Sequence, residues 1–357
     1  MDVRRALEGF VPFPPDVAQR YRERGYWEDR PLIDHFREAF VRFQGRTAIV
    51  AGAERVSYGR LAERVDRLAL HLLALGLRPL DRLVLQLPNI PEFIYLYFAC
   101  QRIGVIPLMA LPPYREHEIG HFVDFVDAVA YAIPDSWGGF RFPDLAMAVR
   151  AKAASLRHIL VTGDDVPEGS VSISSLLGSQ PALEAAELDG IRINPTEPCC
   201  FQLSGGTTAM PKVIARTHND YTYHSKATAA LANVRPGDAF LAVLPVAHNF
   251  PLATPGIQGF LLQGGRIVLS TSPRAAEALP LIEREGITHL ELVPAILIRW
   301  LDDPDLAAHD LSSVRVVNSG GQRLQPETKR RAEAAFPRAK VQEVFGMAEG
   351  LLMCNRL

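Results

Sequence analysis

The sequence predicts an α/β protein with two lobes, each built on a mostly parallel sheet flanked by helices. Short apolar runs that are typical of buried strands alternate with segments whose apolar residues recur at helical spacing. The chain has 357 residues, of which 48% are hydrophobic and 22% are charged. That is enough material for two cores of ordinary globular composition, so two lobes are the expected organisation.

The first lobe is predicted over residues 1–195. Residues 1–45 are rich in aromatic residues and proline, and we expect this arm to pack on the body. Residues 163–195 are polar and punctuated by glycine and proline, so we interpret them as the connection between the lobes. The strands predicted between these segments are 47–50, 56–58, 83–87, 105–111 and 158–161, and the helices are 61–75, 92–103 and a segment that ends near residue 150.

The second lobe is predicted over residues 196–357. A helix is expected over residues 219–232 and another ends near residue 262. The predicted strands are 239–244, 265–269, 288–293, 314–317 and 341–345, and the last of these is expected to end the sheet.

Composition and charge exclude several classes of function. The formal net charge is −2 and there is no basic block, so nothing favours a nucleic-acid partner. No apolar run approaches the roughly 20 residues of a membrane helix, and no secretory signal is visible. The four cysteines lack metal-ligand spacing, and reduced thiols indicate a cytoplasmic protein.

A glycine- and hydroxyl-rich segment follows the apolar run Cys199–Leu203. Glycines allow a close approach of the backbone, hydroxyls can donate to phosphate oxygens, and a lysine adds charge. A strand, this loop and a helix starting near His218 would be a common way to bind an anion, although a polar surface loop is the simpler alternative. The lysine follows proline and precedes valine, which differs from the Walker-type P-loop. The residues that would contact phosphate are Ser204, Gly205, Gly206, Thr207, Thr208 and Lys212.

Three further motifs follow predicted strands of the second lobe, where open α/β sheets bind ligands. His248 and Asn249 come first, and an asparagine can both donate to and accept from an ortho-hydroxy carboxylic acid. The pair Gly320 and Gly321 would let a flat ring lie on the backbone, or would only form a tight turn. In the segment 344–350, an aromatic residue can stack on a purine and a glutamate can bind magnesium, although an exposed turn would look the same.

The segment Ser204–Lys212 resembles the signature loop of adenylate-forming enzymes, the superfamily of acyl-CoA synthetases, luciferases and peptide-synthetase adenylation domains. Ala209 stands where glycine is usual. The continuation Arg216–Tyr221 and the phrase His248–Leu252 narrow the resemblance to the aryl-acid AMP ligases, and the opening phrases Gly9–Pro15 and Gly25–Trp27 agree. The motifs occur in the right order over essentially the whole chain.

The resemblance implies ATP and Mg²⁺ as cofactors and assigns roles to individual residues. Lys212, His248 and Glu349 would be catalytic, and Glu349 would bind the metal. Gln322 departs from the alanine that often follows the glycines. Besides the loop Ser204–Lys212, the nucleotide would contact Gly320, Gly321, Gln322, Val344, Phe345 and Gly346. The acid would contact His248, Asn249, Phe250, Thr254, Gly320, Met347 and Leu352.

The reaction that the resemblance implies has two steps. A carboxylate and ATP give an acyl-adenylate and pyrophosphate, and the acyl group then passes to the phosphopantetheine thiol of an aryl or peptidyl carrier protein. Such enzymes serve siderophore and nonribosomal peptide biosynthesis. The family also needs a ribose-binding aspartate and a small mobile C-terminal domain with a reactive lysine, which would follow residue 357. The chain would then be an excised core of a longer enzyme, which we favour, or a natural short form, and we expect it to have weak or no adenylation activity.

The last motif bears on which acid is bound. Leu352 stands where the family pattern has valine or leucine, and leucine in place of valine would crowd the 3-position of the ring, which favours salicylate over 2,3-dihydroxybenzoate. Met353 replaces asparagine and Cys354 replaces tyrosine, which makes the surroundings less polar and leaves room for 3-hydroxypicolinate, a substituted salicylate or a quinaldic-type acid. Two alternatives remain: a general acyl-CoA or amino-acid-activating enzyme, which would lack the His-Asn pair, and a non-catalytic ligand-binding core.

Overall fold

The computed structural model describes residues 7, 9–204 and 210–355. The predicted helices are present, and the structure adds further ones, including Leu32–Arg42 in the N-terminal arm and Glu116–Phe125, where no helix was predicted. In chain order the helices are α1 (Pro15–Glu23), α2 (Leu32–Arg42), α3 (Tyr58–Ala74), α4 (Pro91–Ile103), α5 (Glu116–Phe125), α6 (Phe142–Arg150), α7 (Ile173–Gly178), α8 (Ala186–Asp189), α9 (His218–Leu231), α10 (Asn249–Ala253), α11 (Gly256–Leu262), α12 (Ala275–Glu285), α13 (Pro294–Leu301) and α14 (Pro326–Ala335).

The strands are short, and most of their residues are buried, as expected of parallel sheets covered on both faces. In chain order they are β1 (Thr47–Ala51), β2 (Glu54–Ser57), β3 (Arg82–Leu85), β4 (Ile106–Met109), β5 (Ala130–Pro134), β6 (Ser136–Trp137), β7 (Phe140–Arg141), β8 (His158–Thr162), β9 (Val171–Ser172), β10 (Pro198–Leu203), β11 (Val213–Thr217), β12 (Ala239–Ala242), β13 (Arg266–Leu269), β14 (His289–Leu292), β15 (Val316–Gly320), β16 (Lys340–Gly346) and β17 (Leu352–Cys354).

The chain divides into two compact units, but not between residues 195 and 196. Unit 1 comprises Met1–Arg37, Ala62–Pro88 and Glu92–Tyr223, and unit 2 comprises Glu38–Leu61, Asn89–Pro91 and His224–Leu357. The division differs because strand pairing, rather than chain order, assigns a strand to a sheet. Strands β10 and β11 join the sheet of unit 1, whereas β1 and β2 join that of unit 2.

Among the described residues, unit 1 holds a seven-stranded sheet of order β11-β10-β4-β3-β5-β8-β9. Its strands are parallel except β11, which pairs antiparallel with β10 at one edge. The segment 163–195, predicted to connect the lobes, lies within this unit, because β9 pairs with β8. A core that includes Val84, Phe122 and Ile133 packs against the sheet.

The N-terminal arm packs on unit 1, as predicted, but it also forms the two helices α1 and α2. The ring of Phe13 meets the Trp27 ring edge-on with 4.9 Å between centroids, and Tyr21 meets the same tryptophan at 5.4 Å. Tyr26 stacks on Tyr223 at 4.6 Å. These aromatic contacts explain why the arm is so rich in ring side chains.

Within the part of the chain that the structure describes, unit 2 holds an eight-stranded sheet of order β17-β16-β15-β14-β12-β13-β1-β2. The six central strands are parallel, and the edge strands β2 and β17 are antiparallel to their neighbours. The prediction that residues 341–345 end the sheet is therefore wrong. Strand β17 escaped prediction because a three-residue strand is too short for a periodic signal.

The core of unit 2 packs large side chains from its helices against the sheet. Trp300 and Phe336 are completely buried in it, together with Leu290 and Val317 of the central strands. The parallel strands all end at one edge of this sheet, which brings the segments after β12, β14, β15 and β16 to that edge. A search of the described residues finds no helix that is long and apolar enough to cross a membrane.

Candidate active site

Ser204 and Lys212 lie in unit 1, next to the paired antiparallel strands β10 and β11. The Ser204 amide donates to the Lys212 carbonyl at 3.1 Å, and the Lys212 amide donates to Ser204 Oγ at 3.1 Å. Gly205, Gly206, Thr207 and Thr208 lie outside the described residues. The predicted helix near His218 is present as α9, but strand β11, which was not predicted, comes before it and pairs with β10.

The continuation Arg216–Tyr221 has a structural role in unit 1. The Arg216 guanidinium is buried and forms two hydrogen bonds with the Asp220 carboxylate, at 2.5 and 3.1 Å. The same guanidinium lies over the Tyr221 ring, 4.6 Å from its centroid. The Tyr221 hydroxyl accepts from Gln202 Nε2 of β10 at 3.1 Å. This motif therefore attaches the start of α9 to the hairpin that carries Ser204 and Lys212.

In unit 2, His248 and Asn249 begin helix α10, which follows β12 at the carboxyl edge of the sheet. His248 Nδ1 caps the helix by accepting from the Phe250 amide at 3.4 Å. The ring is exposed at one side, yet the protein around it removes enough hydration to lower the pKa of His248. The imidazole is therefore neutral at pH 7.

The other residues of this turn are buried. Asn249 is buried, and Thr254 is the C-terminal cap of helix α10. Thr254 Oγ1 lies 2.9 Å from His224 Nε2 and donates to the Asn249 carbonyl at 3.4 Å. The segment Asn249–Thr254 is thus a rigid turn that presents its side chains from fixed positions.

Asn89 supports this turn and was not singled out in the sequence. Its Nδ2 lies 2.9–3.1 Å from the carbonyl oxygens of Ala242, Leu244 and Ser270, and its Oδ1 accepts from the Val246 amide at 3.0 Å. One buried side chain therefore fixes the backbone between β12 and His248. The sequence indicated only that a strand ends at Pro88-Asn89. The role of Asn89 could not be predicted because its hydrogen-bond partners lie more than 150 residues further along the chain.

The structure brings the acid motif and the glycine turn into contact within unit 2. A side-chain carbon placed on Gly320 would lie 3.2 Å from the Phe250 ring and 3.1 Å from the Val344 carbonyl. Because Gly320 has no side chain, the Phe250 ring and strand β16 can approach its backbone closely. The next residue, Gly321, has φ +80°, a left-handed conformation that favours glycine.

The motif 344–350 forms a hairpin in which β17 folds back on β16. Phe345 pairs with Met353, and Gly346 pairs with Leu352. Since paired residues share a face, Met353 lies beside Phe345 and on the face opposite to Leu352. Leu352 lies 3.3 Å from the position of a Cβ on Gly346. Met347 and Glu349 are exposed at the hairpin turn.

A surface cleft of about 580 Å³ in unit 2 adjoins this hairpin. The Phe345 and Met353 side chains are 57% and 59% exposed, which is unusual for large apolar groups and leaves an open aromatic face. A flat ring beside glycine backbone suits a purine. The predicted nucleotide-binding residues that line the cleft are Gly321, Gln322, Val344, Phe345 and Gly346.

Comparison with known proteins decides the family. The sequence profile of the family described as AMP-binding enzyme matches residues 36–357. The chain belongs to the AMP-binding enzymes. This assignment agrees with the resemblance of the signature loop and with two parallel sheets flanked by helices.

Two curated relatives of this AMP-binding enzyme activate aromatic acids, according to their names. The chain is 40% identical over 352 residues to a salicylyl-CoA synthase / salicylate adenylyltransferase of Streptomyces sp, covering 98% of this chain and 64% of the relative. It is also 40% identical over 351 residues to the 2,3-dihydroxybenzoate-AMP ligase of Bacillus subtilis (strain 168), covering 98% and 63%. The chain thus spans slightly less than two thirds of the length of these relatives.

Solved structures agree with the fold. The apo structure of MbtA from Mycobacterium smegmatis matches with a TM-score of 0.87 at 36% identity, over 98% of this chain and 62% of that one. The anthranilate CoA ligase AuaEII matches with a TM-score of 0.84 over 92% of this chain and 62% of that one, and at 21% identity it supports the fold alone.

Proposed function

We propose that this AMP-binding enzyme binds an aromatic carboxylic acid at the turn Asn249–Thr254 and activates it to an acyl-adenylate. The contact between Phe250 and Gly320 is the observation that carries the proposal, because it joins the predicted acid motif to the predicted nucleotide turn within one unit. The names of the relatives, which include salicylate and 2,3-dihydroxybenzoate, support the same chemistry.

In the proposed reaction, a carboxylate oxygen of the acid attacks the α-phosphorus of ATP. The new carboxyl–phosphorus bond forms as the bond between the α-phosphorus and the bridging oxygen breaks, and pyrophosphate leaves with that electron pair. The protein contributes positioning and charge neutralisation. In unit 2, Asn249 would hold the ring hydroxyl and neutral His248 would border the acid. The phosphate-binding role of Ser204, Gly205, Gly206, Thr207, Thr208 and Lys212 stays a prediction from the sequence.

ATP and magnesium complete the proposed site. Adenine would stack on Phe345 beside Gly321, because that ring is exposed next to glycine backbone. Magnesium is usually bound by one or two carboxylates plus phosphates and water. Glu349, exposed at the hairpin turn, would supply the carboxylate. When bound, magnesium neutralises phosphate charge.

A carrier-protein thiol is the proposed acceptor of the activated acid. One relative, 39% identical over 357 residues, is named salicyl-AMP ligase / salicyl-S-ArCP synthetase. Siderophore or nonribosomal peptide biosynthesis would follow from such an acceptor. A cytoplasmic location is proposed with it, since ATP is available there and the described structure holds all four cysteines as free thiols.

The preferred acid is proposed to lack a second substituent beside its ortho-hydroxyl group, at the place where 2,3-dihydroxybenzoate carries its 3-hydroxyl. Leu352 packs directly over Gly346, on the face of the hairpin that also carries Val344. A leucine side chain there leaves less room than valine by about one methylene, which is worth roughly 10-fold or more in selectivity in a tight pocket. Salicylate or 3-hydroxypicolinate is therefore favoured over 2,3-dihydroxybenzoate.

Calorimetric titration tests this proposal. The 357-residue chain is titrated with salicylate, 3-hydroxypicolinate and 2,3-dihydroxybenzoate, each with and without ATP and Mg²⁺. We expect selective binding of one of the first two acids. The variant Leu352→Val should improve 2,3-dihydroxybenzoate binding roughly 10-fold, whereas Leu351→Val, a change in the neighbouring exposed leucine, should not. Absence of binding for every acid, with a folded chain, would overturn the proposal.

A further inference from the structure

Two buried polar side chains on neighbouring strands of unit 2 have oxygen atoms that lack a hydrogen-bond partner among the described residues. They are Glu291 Oε2 on β14 and Asn318 Oδ1 on β15. Each residue is only 1% exposed, so bulk water does not reach them. The other carboxyl oxygen, Glu291 Oε1, accepts from the Gly256 amide at 2.9 Å. Glu291 is thus anchored at one oxygen, while its second oxygen has no donor.

The sheet register places the two side chains that carry these oxygens next to each other. Glu291 and Asn318 are paired residues of parallel strands, so their side chains lie on the same face, on strands about 4.8 Å apart. Gly320 shares this face with Asn318 because it is two residues further along β15. Phe250 covers Gly320, and Gly256 begins α11 just after Thr254. Glu291 therefore links the acid-binding turn to the strand that ends in the glycine turn.

A carboxylate facing an amide oxygen would place two acceptors together without a donor, which burial makes especially unfavourable. A proton on Oε2 would satisfy both oxygens with one hydrogen bond. The elements around Glu291 offer little charge to stabilise an ionised form. Helices α10 and α11 and strand β15 contain no titratable residue. His289 on β14 is engaged with the Ala232 carbonyl, and His224 on α9 contacts Thr254.

We propose that Glu291 is a neutral carboxylic acid whose Oε2–H donates to Asn318 Oδ1, and that this hydrogen bond positions the turn Asn249–Thr254 against Gly320. The positioning role rests on the proposed function, whereas the protonation of Glu291 does not. Glu291 is a positioning residue, since it acts through the turn and through β15 and not on the substrate.

The pH dependence of stability has a defined sign. Burial raises the pKa of Glu291 well above its usual range, and the hydrogen bond from Gly256 opposes this only partly. The folded protein therefore keeps a proton that the unfolded chain loses near pH 4.3. The stabilising contribution is complete below that pH and is lost as the pH rises toward the folded pKa. Glu291→Gln, which cannot ionise, should thus gain stability relative to the wild type as pH rises.

Infrared difference spectroscopy between the wild type and Glu291→Gln tests the protonation directly. At pH 7 the wild type should show the carbonyl band of a protonated carboxylic acid, and the variant should lack it. Glu285→Gln is the matched control, because Glu285 is also buried but bonds to Arg55 and should be ionised. Absence of the band, as expected if Asn318 instead donates its N–H to a carboxylate, would overturn the proposal.

Acid binding tests the positioning role. Glu291→Gln can accept from Gly256 and donate to Asn318, so its affinity for the preferred aryl acid should stay within about twofold of the wild type. Glu291→Ala should weaken binding by about tenfold or more. If the Gln variant loses as much affinity as the Ala variant, a charged Glu291 is required and the proposal fails. If the wild type binds no aryl acid, the proposed function fails, while the infrared result still decides the protonation.

Discussion

The parallel strands of the eight-stranded sheet of unit 2 begin at one side of the sheet, here called the amino edge, and end at the other, the carboxyl edge. The polar residues at these two edges are used in opposite ways. At the amino edge, charged groups are paired with one another: Arg55 donates to the Glu285 carboxylate at 3.0 Å, and Arg315 pairs with Asp238 at 2.5 Å. At the carboxyl edge stand a neutral histidine, glycines and the exposed ring of Phe345.

This difference shows which edge is available to a ligand. A charged side chain that already forms an ion pair binds a substrate only weakly, and breaking the ion pair lowers the stability of the fold. A glycine turn or an exposed ring contributes little to the stability of the fold but provides a surface on which a ring can lie. Substitutions at the carboxyl edge should therefore change binding, and substitutions at the amino edge should change stability.

The largest effect is expected for Asn249→Ala at the carboxyl edge. Loss of a hydrogen bond to the charged or polar ortho group of the acid should weaken its binding by about 10–100-fold in calorimetry. Asn219→Ala is the matched control. That buried asparagine bonds to Asp29 in unit 1 and should lower stability without affecting the acid. Equal losses of acid affinity in both variants would contradict the assignment of Asn249.

Phe345→Ala should have the next largest effect, on nucleotide binding. Removing an aromatic stacking partner costs roughly 1–2 kcal/mol, or about 5–30-fold in ATP affinity. The melting temperature should hardly change, because the ring is 57% exposed. Met353→Ala, which removes its exposed cross-strand neighbour, provides a comparison. An unchanged ATP affinity in Phe345→Ala would remove this ring from the nucleotide site.

Glu285→Gln probes the amino edge and should reduce stability by about 1 kcal/mol at pH 7, with acid affinity unchanged. Burial tends to raise the pKa of Glu285, but the hydrogen bonds with Arg55 and Arg284 outweigh it, and the pKa is lowered. The contribution is thus present above the unfolded value of about 4.3 and is lost as the pH falls through the folded pKa. Urea unfolding of both proteins at pH 7 and pH 4 should show the difference shrinking, and a difference that grows at pH 4 would contradict this sign.

The smallest effect is expected for His248→Gln, with a change in acid affinity of less than about threefold, because the neutral ring mainly caps α10. The pKa of His248 is below its ordinary value of about 6.5, so the ring stays mainly neutral between pH 8 and 6.5. The titration of His248 should therefore not change the affinity for the acid in this range. Its stabilising contribution falls as the pH drops below 6.5, since the unfolded chain takes up the proton first. A step in affinity near pH 6.5 that vanishes in the variant would instead indicate a charged His248 in the bound state.

Much of the fold could be predicted because strands and helices of this kind are encoded locally. The alternation of buried runs and helical periods indicated two parallel sheets, and nearly every predicted strand is present. The strands that were not predicted are β5, β6, β7, β9, β11 and β17. Strand β5 was missed although all five of its residues are buried. The others are short or polar, and pairing with a neighbouring strand stabilises them more than their own pattern does. The same reason explains the division into units, since β1 and β13 pair across more than 200 residues.

The structure brings part of the predicted site together: Phe250 contacts Gly320, and Gly321, Gln322 and Phe345 line one cleft, whereas the roles of these residues stay predictions. Each motif was found because glycines, hydroxyls and an His-Asn pair at strand ends have few structural explanations when they occur together. Asn89 and Glu291 were missed because an isolated polar residue in or near an apolar run has no local signature of its partners. Only the folded chain shows that Asn89 fixes the backbone before His248 and that Glu291 faces Asn318.

By itself, the sequence determined the α/β class, the succession of most elements and the identity of the motif residues, because hydrophobic period and side-chain chemistry act over a few neighbouring residues. The tertiary structure alone decided which strands share a sheet, which side of the hairpin Met353 occupies and which buried oxygens lack a donor. Those properties depend on contacts between residues far apart in the chain, where register and burial, rather than local preference, set the free energy.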